Sequence, residues 1–412
     1  MATIRPFRAL RPDPAKAAEV CSPPYDVVST EEAAALAEGK PHCFLRVTRP
    51  EIELPAYVDP HSDEAYLAGR AKLVGFVKER VLIADKEPCL YIYRLRHGAH
   101  EQTGVAATFS CKEYRDDIIK KHELTRPDKE DDRKHHIDIL GAQTGPVFLT
   151  YQASKEVDAV VATQVLQQPA MRFTADDGVE HTLWKVSDPD AISWMQAAFA
   201  SVPAVYIADG HHRAAAANRV CEERAAATPG HKGDEPHNFF LGVAFPHTQM
   251  RILGYHRVLK DLNGLEEGEF FASLEEWFRW RMVDGPVDPP SHGTAMMYTN
   301  CQWYHLDFIH DDRTPRDVVA MLDASFLQEH LLDPVLGIEN PRTDKRITFV
   351  GGARGLKELQ RLVDTGEWTV AFAMHPTSIE ELMAVSDAHC LMPPKSTWFE
   401  PKLRDGVVTH VL

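Results

Sequence analysis

Hydrophobic and polar positions follow one another along the chain with periods that predict both strands and helices. Short apolar runs bounded by glycine, proline or polar residues predict buried strands at 146–151, 203–207 and 239–245. Residues 62–81 and 213–227 instead have apolar or alanine positions at helical spacing. No internal repeat is visible, so the pattern predicts a mixed α/β protein of the α+β class.

The same patterns predict elements in the rest of the chain. Strands are predicted at 4–10, 43–47, 88–94, 104–111, 180–186, 294–298, 303–308, 347–350 and 368–374. Helices are predicted at 30–38, 128–143, 156–168, 189–199 and 317–332. Around 254–265 the chain changes to short helices, loops and proline clusters, and we place a domain boundary there. The predicted domains are 1–252, a core with inserted α/β segments, and 253–412, an α+β domain packing on that core.

Composition narrows the class of protein. A chain of 412 residues with 44% apolar residues is long enough for two hydrophobic cores. No window approaches the roughly 18 uninterrupted apolar residues of a membrane helix, so we expect a cytoplasmic protein without membrane partners. The net charge of -16 argues against a nucleic-acid surface. The seven cysteines are scattered and form no C-x-x-C pair, which predicts neither a disulfide framework nor a zinc site.

One polar run, Ala208-Asp209-Gly210-His211-His212-Arg213, lies between a predicted strand and a predicted helix and is therefore a strand-to-helix turn. Its glycine would let a ligand approach the backbone, and the first N–H groups of the helix would point at that ligand. The two histidines and the arginine add positive charge in the same place. The turn therefore predicts an anion site.

The usual nucleotide signatures are missing: there is no G-x-x-x-x-G-K-[ST] loop, no G-x-G-x-x-G and no kinase catalytic-loop pattern. Backbone N–H groups, two imidazoles and a guanidinium nevertheless suit a di- or triphosphate, which predicts phosphate contacts at Gly210, His211, His212 and Arg213. The alternative is that the histidines merely cap the helix. Adjacent histidines point roughly 100° apart on a helix and rarely share one ion. We therefore predict no metal site held by the protein, and a magnesium ion brought by the phosphates.

Two other segments are candidates for the same site. Asp26 follows Pro23-Pro24 on a rigid turn just ahead of a helix, although an Asx-type turn residue would have the same pattern. Lys121-His122-Glu123-x-Thr125 lies between a strand and a proline, where side chains can converge on a ligand. Nucleotide or phosphate contacts are therefore predicted for Lys121, His122, Glu123 and Thr125. The charge run after Asp128 predicts a solvated helix face.

A second glycine-rich turn, Gly351-Gly352-Ala353-Arg354-Gly355, also leads from a predicted strand into a helix. Such a turn can bind an anion. It can equally serve tight packing of the turn against a strand, because glycine has no side chain. Both interpretations stay open for this segment.

Several motifs together resemble an uncharacterised bacterial family, domain-of-unknown-function family 1015, over essentially the whole chain. The motifs are Pro23-Pro24-Tyr25-Asp26-Val27, Lys121-His122-Glu123-x-Thr125, the strand Pro146 to Tyr151, Asp209-Gly210-His211-His212-Arg213, Asp333-Pro334-Val335-Leu336-Gly337-Ile338 and Met392-Pro393-Pro394-Lys395-Ser396-Thr397-x-Phe399-x-Pro401-Lys402. Because all of these motifs occur in this order, the resemblance to the family is specific. The family name by itself indicates no activity.

The Asp-Gly-His-His-Arg turn is also similar to that of free serine kinases in the ParB/sulfiredoxin-like superfamily. This resemblance implies a ParB/sulfiredoxin-like core with large insertions, in which Asp209 to Arg213 bind nucleotide phosphates. In those kinases a carboxylate on an early turn activates the hydroxyl of free L-serine and O-phospho-L-serine is formed. Asp26 is the candidate for that carboxylate here. Those kinases tend to have glutamate at this place, in a turn with a different sequence.

The predicted function is that of a small-molecule phosphotransferase using ATP or ADP, with free L-serine as acceptor and magnesium carried by the nucleotide. Asp26, Asp209 and His211 are the predicted catalytic residues. One alternative is a nucleotide-binding switch or adaptor without turnover, and another is a hydrolase of a phosphate ester with water as nucleophile. The expected partners are the nucleotide and a small substrate, and a homodimer is expected only from base rates.

Overall fold

The computed structural model describes residues 2–310 and 317–412. By their contacts they form two compact units, the first made of Met1–Met250 with Pro401–Leu412 and the second of Arg251–Glu400. The mixed α+β class predicted from the sequence is confirmed. Residues 401–412, which the sequence analysis placed in the C-terminal domain, have their contacts in the first unit.

The first unit contains most of the strands and helices. Its strands are β1 (Ile4–Arg5), β2 (Ala9–Pro12), β3 (Leu82–Ala84), β4 (Leu90–His97), β5 (His100–Ser110), β6 (Ile119–Lys120), β7 (Ala142–Gln143), β8 (Val147–Tyr151), β9 (Met171–Thr174), β10 (Glu180–Val186), β11 (Val205–Asp209), β12 (Phe239–Pro246) and β21 (Thr409–Val411). Its helices are α1 (Ala17–Val20), α2 (Thr30–Ala37), α3 (Leu45–Thr48), α4 (Asp63–Lys78), α5 (Cys111–Arg115), α6 (Pro127–Leu140), α7 (Lys155–Gln164), α8 (Pro189–Phe199) and α9 (His211–Ala227). Short 3-10 turns include Tyr25–Val27 and Pro236–Asn238.

A mixed sheet forms the centre of the first unit, with strand order β6-β11-β8-β12-β5-β4-β10-β9 and β1 added beside β5. A smaller sheet of order β3-β2-β21-β7 joins the end of the chain to its beginning. In the large sheet β11 pairs with β6 in parallel and with β8 antiparallel. The site-bearing strand β11 is therefore held on both sides by backbone hydrogen bonds, so the position of the turn that follows it is fixed.

Helix α9 follows β11 and packs against α6 and the sheet. Its small alanines, Ala214, Ala216 and Ala217, are buried in the core of the unit with Val220. Alanine has the highest helix propensity and its small side chain allows close approach between a helix and its neighbours. The alanine-rich pattern in the sequence is thus explained by packing, and it brings α6 next to the start of α9.

The second unit has a sheet of order β15-β17-β16-β19-β14-β18 and a separate pair, β13 with β20. Its strands are β13 (Ile252–Leu253), β14 (Tyr255–Leu259), β15 (Phe278–Val283), β16 (Thr294–Thr299), β17 (Gln302–Phe308), β18 (Ile347–Gly351), β19 (Val370–Met374) and β20 (Trp398–Phe399). Its helices are α10 (Glu267–Leu274), α11 (Asp323–Leu327), α12 (Leu356–Asp364) and α13 (Ile379–Asp387). Alternate residues of the strands fill two cores: Met297 and Phe372 belong to one, Met296 and Ala371 to the other.

Two sequence predictions of secondary structure are wrong. Residues 43–47, predicted as a strand, contribute to the helix Leu45–Thr48, because a short apolar run does not distinguish a buried strand from a buried helical turn. The helix predicted from 317 begins only at Asp323 and continues as a π-helical turn, Gln328–Leu332. Asp317 instead accepts hydrogen bonds from the backbone of Val319 and Ala320, as turn-forming aspartates do. Within the described ranges no helix is long and apolar enough to cross a membrane.

Candidate functional site

The turn between β11 and α9 is built around Gly210 and Arg213. Gly210 has a φ of 94°, and a Cβ atom there would lie 3.1 Å from both Cζ and Nε of Arg213. Glycine is therefore needed both for the backbone conformation and to let the arginine fold back under the turn. Only 7% of Arg213 is exposed, and its Nη1 donates a hydrogen bond to the carbonyl oxygen of Pro146.

Asp26 is the carboxylate that meets this arginine. It lies on the 3-10 turn Tyr25–Val27, and its Oδ2 is 3.3 Å from Nε of Arg213 and 3.8 Å from Nη2 of Arg133. Burial alone would raise the pKa of Asp26, but the two guanidinium groups outweigh burial and hold that pKa below its ordinary value. Asp26 is therefore ionised at neutral pH.

The second oxygen of Asp26 is also informative. Oδ1 is buried and has no hydrogen-bond partner among the described residues. A buried carboxylate oxygen without a donor is costly, and an incoming hydroxyl group would satisfy it. The carboxylate thus has one oxygen facing arginine and one oxygen able to accept a proton or a hydrogen bond.

Arg133 reaches the same place from α6. Its guanidinium lies 5.6 Å from the ring centroid of Tyr25, and its Nη1 donates to the carbonyl oxygen of Lys129 at 3.4 Å. Its Nε is buried and, within the part of the chain that the structure describes, without a hydrogen-bond partner. The charge run after Asp128 predicts a solvated helix face, but the Arg133 side chain is only 13% exposed and faces Asp26. The charge run therefore has a buried side.

A second carboxyl group, Asp405, lies close to the first. It is 1% exposed, and its Oδ2 accepts a hydrogen bond from the backbone N–H of Tyr25 at 3.1 Å. Burial raises the pKa of Asp405 to about 8, against the opposing effect of Arg213 and with the support of negatively charged Asp26. The site therefore combines one ionised and one protonated carboxyl group, a difference that is typical of functional sites.

A cavity of about 350 Å³ adjoins Asp26, which is within the size range of small-molecule pockets. It is lined by Tyr25, Asp26, Thr30, Thr48, Arg49, Pro50, Glu51, Pro60, His61, Tyr66, Lys129, Asp132, Arg133 and His136. Both signs of charge are present on its wall. Such a wall suits a small molecule that itself has both a positive and a negative group.

The two histidines of the turn hold the segment 121–126. The backbone N–H of His122 donates to Nε2 of His211 at 3.4 Å, and that of Arg126 donates to Nε2 of His212 at 3.1 Å. His211 is 3% exposed, and burial lowers its pKa to about 3. His211 is thus neutral and does not supply the positive charge expected from the sequence. Its role in binding phosphate stays a prediction.

The remaining residues of the predicted Lys121–Thr125 segment have different surroundings. Burial and nearby His211 lower the pKa of His122, whose ring contacts that of His211 at 4.4 Å. Glu123 Oε2 lies 3.6 Å from Nδ1 of His211. Lys121 donates to the carbonyl oxygen of Tyr114 at 3.0 Å. Thr125 is partly buried. His122 and Glu123 are therefore at the helix start, whereas the Lys121 ammonium is occupied elsewhere.

Asp209, the last residue of β11, forms an ion pair with Lys402, whose Nζ is 2.8 Å from Oδ2 of Asp209. Sequence reasoning missed Lys402 and Asp405 as site residues, since they are almost 200 positions from the turn in the chain. Lys402 is the last residue of the motif Met392–Lys402, which carries part of the family resemblance. The carboxylates of Asp26 and Asp209 are each paired with a cationic side chain. They therefore offer few free oxygen ligands for a metal ion, apart from an ion that a nucleotide would carry.

These features define a mixed α+β protein with a buried carboxylate–guanidinium cluster at the start of a helix. The chain belongs to the family described as Protein of unknown function (DUF1015), whose model matches residues 4–325. The family predicted from the motifs is thereby confirmed.

Three solved structures are similar to the chain at low identity. A free serine kinase in complex with AMP has 11% identity and a TM-score of 0.36, covering 74% of this chain and 92% of that chain. A conserved hypothetical protein from Pyrococcus furiosus has 13% identity and a TM-score of 0.35, covering 73% and 93%. SbnI with C-terminal truncation from Staphylococcus aureus has 12% identity and a TM-score of 0.37, covering 73% and 85%. No curated protein matches the sequence significantly. Since these TM-scores are below 0.5, function has to be argued from the chain's own residues.

Proposed function

We propose that the chain is a phosphotransferase that transfers a phosphoryl group from ATP or ADP to the hydroxyl group of a small metabolite, with free L-serine as the acceptor. The observation that carries this proposal is the position of Asp26. Its carboxylate lies between Arg213 and Arg133, has one buried oxygen available, and adjoins a cavity of suitable size.

The nucleotide phosphates are assigned to the start of α9. The N-cap residue of this helix is Gly210, which has no side chain, and the helix dipole favours an anion there. His211 and His212 are adjacent to the same N–H groups. A magnesium ion carried by the nucleotide would neutralise phosphate charge there.

Asp26 is the group that receives the proton. The acceptor oxygen attacks the terminal phosphorus, the bond from that phosphorus to the bridging oxygen breaks, and the shortened nucleotide leaves with the bonding electrons. The hydroxyl proton passes to the Asp26 carboxylate. Arg213 and Arg133 fix the orientation of this carboxylate, and Asp209 and His211 are assigned to positioning at the phosphate end.

The charges on the cavity wall support a zwitterionic acceptor such as serine. Lys129 and Arg133 supply positive charge for a carboxylate, while Glu51 and Asp132 supply negative charge for an ammonium group. A site that pairs both charges of a ligand discriminates against analogues that lack one of them. We therefore expect L-serine to be accepted and ethanolamine or glycolate to be poor substrates.

The test is incubation of the full chain with ATP or ADP, magnesium and L-serine, followed by detection of O-phosphoserine by phosphorus NMR. Asp26→Asn should lower the rate by a factor of about 10² or more, because it removes a general base. Asp190→Asn is the matched control, since Asp190 is exposed at the start of α8. Phosphate release without phosphoserine would identify a hydrolase instead. Nucleotide binding without turnover would identify a switch.

A further inference from the structure

The segment between α9 and β12 brings two histidines and a glutamate together, apart from the site described above. One ligand atom from each of His231, Glu235 and His237 lies within 4.8 Å of those of the other two. Nδ1 of His231 is 3.0 Å from Oε2 of Glu235. The two imidazole rings are nearly parallel, with centroids 5.7 Å apart. The sequence predicts no metal site held by the protein, so this cluster was not expected.

One histidine of the cluster has a buried nitrogen atom without a hydrogen-bond partner. His237 is 8% exposed, and its Nε2 has no hydrogen-bond partner among residues 2–310 and 317–412. Nδ1 of His231 is buried as well, but it faces Oε2 of Glu235 at 3.0 Å. Buried polar atoms in folded proteins nearly always have a partner, so the unpartnered Nε2 of His237 beside a carboxylate points to a bound cation.

Glu235 is held in place by three donors. Its Oε1 accepts from the backbone N–H of Lys232 at 2.9 Å, and its Oε2 accepts from the N–H of Gly233 at 2.9 Å and from Nδ2 of Asn238 at 3.0 Å. A carboxylate that is oriented by such donors is prepared to bind a cation.

We propose that His231, Glu235 and His237 bind one divalent transition-metal ion of the zinc class. Two imidazoles and one carboxylate form a known ligand set for zinc, with water as the fourth ligand. Bonds of about 2.0–2.2 Å require ligand atoms about 3.4 Å apart, so small side-chain rotations close the cluster around the ion.

The bound ion would fasten this segment to the first unit. The segment already has contacts on two sides, because Arg5 donates to the carbonyl oxygen of Asp234 at 2.6 Å and His410 donates to that of Pro236 at 3.1 Å. A metal ion that binds only the folded segment stabilises the folded state by mass action. This site does not depend on the proposed phosphotransfer. The competing explanation is a simple ion pair between His231 and Glu235.

The test uses the full reduced chain, stripped of metal with a chelator and titrated with Zn²⁺ alone against a competing metal indicator. We expect one tight equivalent per chain. His237→Gln and His231→Gln should weaken it by a factor of about 100 or more, and Asn238→Ala by about tenfold, because Asn238 only orients Glu235. His97→Gln is the control, since His97 is exposed at the end of β4.

The melting temperature with and without Zn²⁺ gives a second measurement. It should rise with Zn²⁺ in the unchanged chain and in His97→Gln, but not in His231→Gln, whose side chain is partly exposed and whose fold should persist. Equal Zn²⁺ affinity in the unchanged chain and His231→Gln would overturn the proposal. Loss of binding only when cysteines are replaced would also overturn it, because the ion would then lie elsewhere.

Discussion

Two strand–turn–helix segments of the molecule look alike in sequence and differ in construction. In the first unit β11 leads through Gly210 into α9. In the second unit β18 leads through the 3-10 turn Gly352–Arg354 and Gly355 into α12. Both turns have glycine with positive φ, an arginine and a helix start, which is the pattern that predicts an anion site.

The glycines serve different neighbours in the two turns. At Gly210 a Cβ would meet the guanidinium of Arg213. At Gly351 a Cβ would lie 2.5 Å from the ring of Trp398, and at Gly352 it would lie 2.5 Å from the carbonyl oxygen of Gly254. The first turn therefore makes room for a buried charge, whereas the second makes room for an aromatic ring and a neighbouring backbone.

The difference between the two turns shows that a glycine-rich pattern alone does not distinguish an anion site from a packing contact. Arg213 is 7% exposed and ion-paired with Asp26, while Arg354 is exposed on its turn. Buried charge is costly and persists where partners or a ligand compensate it. Of the two interpretations of the second turn, the packing one is supported by its contacts, and the charged cluster distinguishes the first turn as the functional candidate.

The largest expected difference comes from removing the arginine of each turn. Arg213→Ala should lower the free energy of unfolding by about 3–5 kcal/mol, because it leaves the buried Asp26 carboxylate without its main partner. Arg354→Ala should change it by no more than about 0.5 kcal/mol, as is usual at exposed positions. Urea unfolding followed by circular dichroism measures both. Similar losses for the two variants would show that the turns are equivalent after all.

Sequence reasoning predicted most of the fold because it depends on local patterns. The strands at 146–151 and 239–245 and the alanine-rich helix after the turn are present at nearly those bounds. The strand at 43–47 was wrong because propensity is weak over so few residues, and tertiary packing decided the outcome.

The site was predicted only as far as single segments allow. Asp26 and the turn at 208–213 lie together in space, because Asp26 contacts Arg213. This contact does not test the catalytic role predicted for Asp26 or the phosphate binding predicted for the turn. The neutrality of His211 and the protonation of Asp405 follow from burial, which depends on the whole fold. Lys402 comes from the end of the chain, and no periodicity in the sequence connects it with Asp209.

The second prediction uses pH to test how much a negative charge on the buried carboxyl group of Asp405 destabilises the fold. The pKa of Asp405 is about 8 in the folded chain and about 3.9 in an unfolded one, so the folded state holds the extra proton between these values. The contribution of Asp405 to the free energy of unfolding should therefore fall as pH rises toward 8, by about 2 kcal/mol from pH 6.5 to 8.

Asp405→Asn should remove this slope and leave the variant more stable than the unchanged chain at pH 8. Urea unfolding at pH 6.5, 7.25 and 8 measures it, with Asp190→Asn as the control. Staying above pH 6.5 avoids His211, whose lowered pKa makes stability fall at acid pH instead. An unchanged slope in Asp405→Asn would mean that this carboxyl group is already ionised in the folded state.

The third prediction concerns packing at the second turn. Gly351→Ala should cost about 1–2 kcal/mol, because the new methyl group overlaps the Trp398 ring, itself packed edge-on against Tyr255 at 5.2 Å. Trp398→Leu in the same chain should recover part of this cost relative to Trp398→Leu alone. Gly268→Ala in α10 is the control, since nothing lies within 4 Å of its added Cβ. If the losses of stability from Gly351→Ala and Trp398→Leu simply add in the double variant, the new methyl group does not clash directly with the Trp398 ring.

The smallest stability effect is expected at Lys402. Its ion pair with Asp209 is partly exposed, with 15% of the lysine side chain and 32% of the aspartate side chain accessible, so Lys402→Met should cost less than about 1 kcal/mol. Its effect on nucleotide affinity should be larger, about tenfold weaker ADP binding by calorimetry, because a cation is lost beside the helix start. Lys357→Met, in the first turn of α12, should leave ADP binding unchanged.

The two measurements on Lys402 separate a structural partner from a ligand contact. A cation that contacts phosphate should also make ADP binding weaken with added salt, and this salt dependence should be smaller in Lys402→Met. If the variant loses stability but keeps its ADP affinity, Lys402 acts only on Asp209, and the phosphates do not lie at its ammonium group. If instead both lysine variants weaken binding equally, the second turn also attracts the nucleotide, and buried charge is not what separates the two turns.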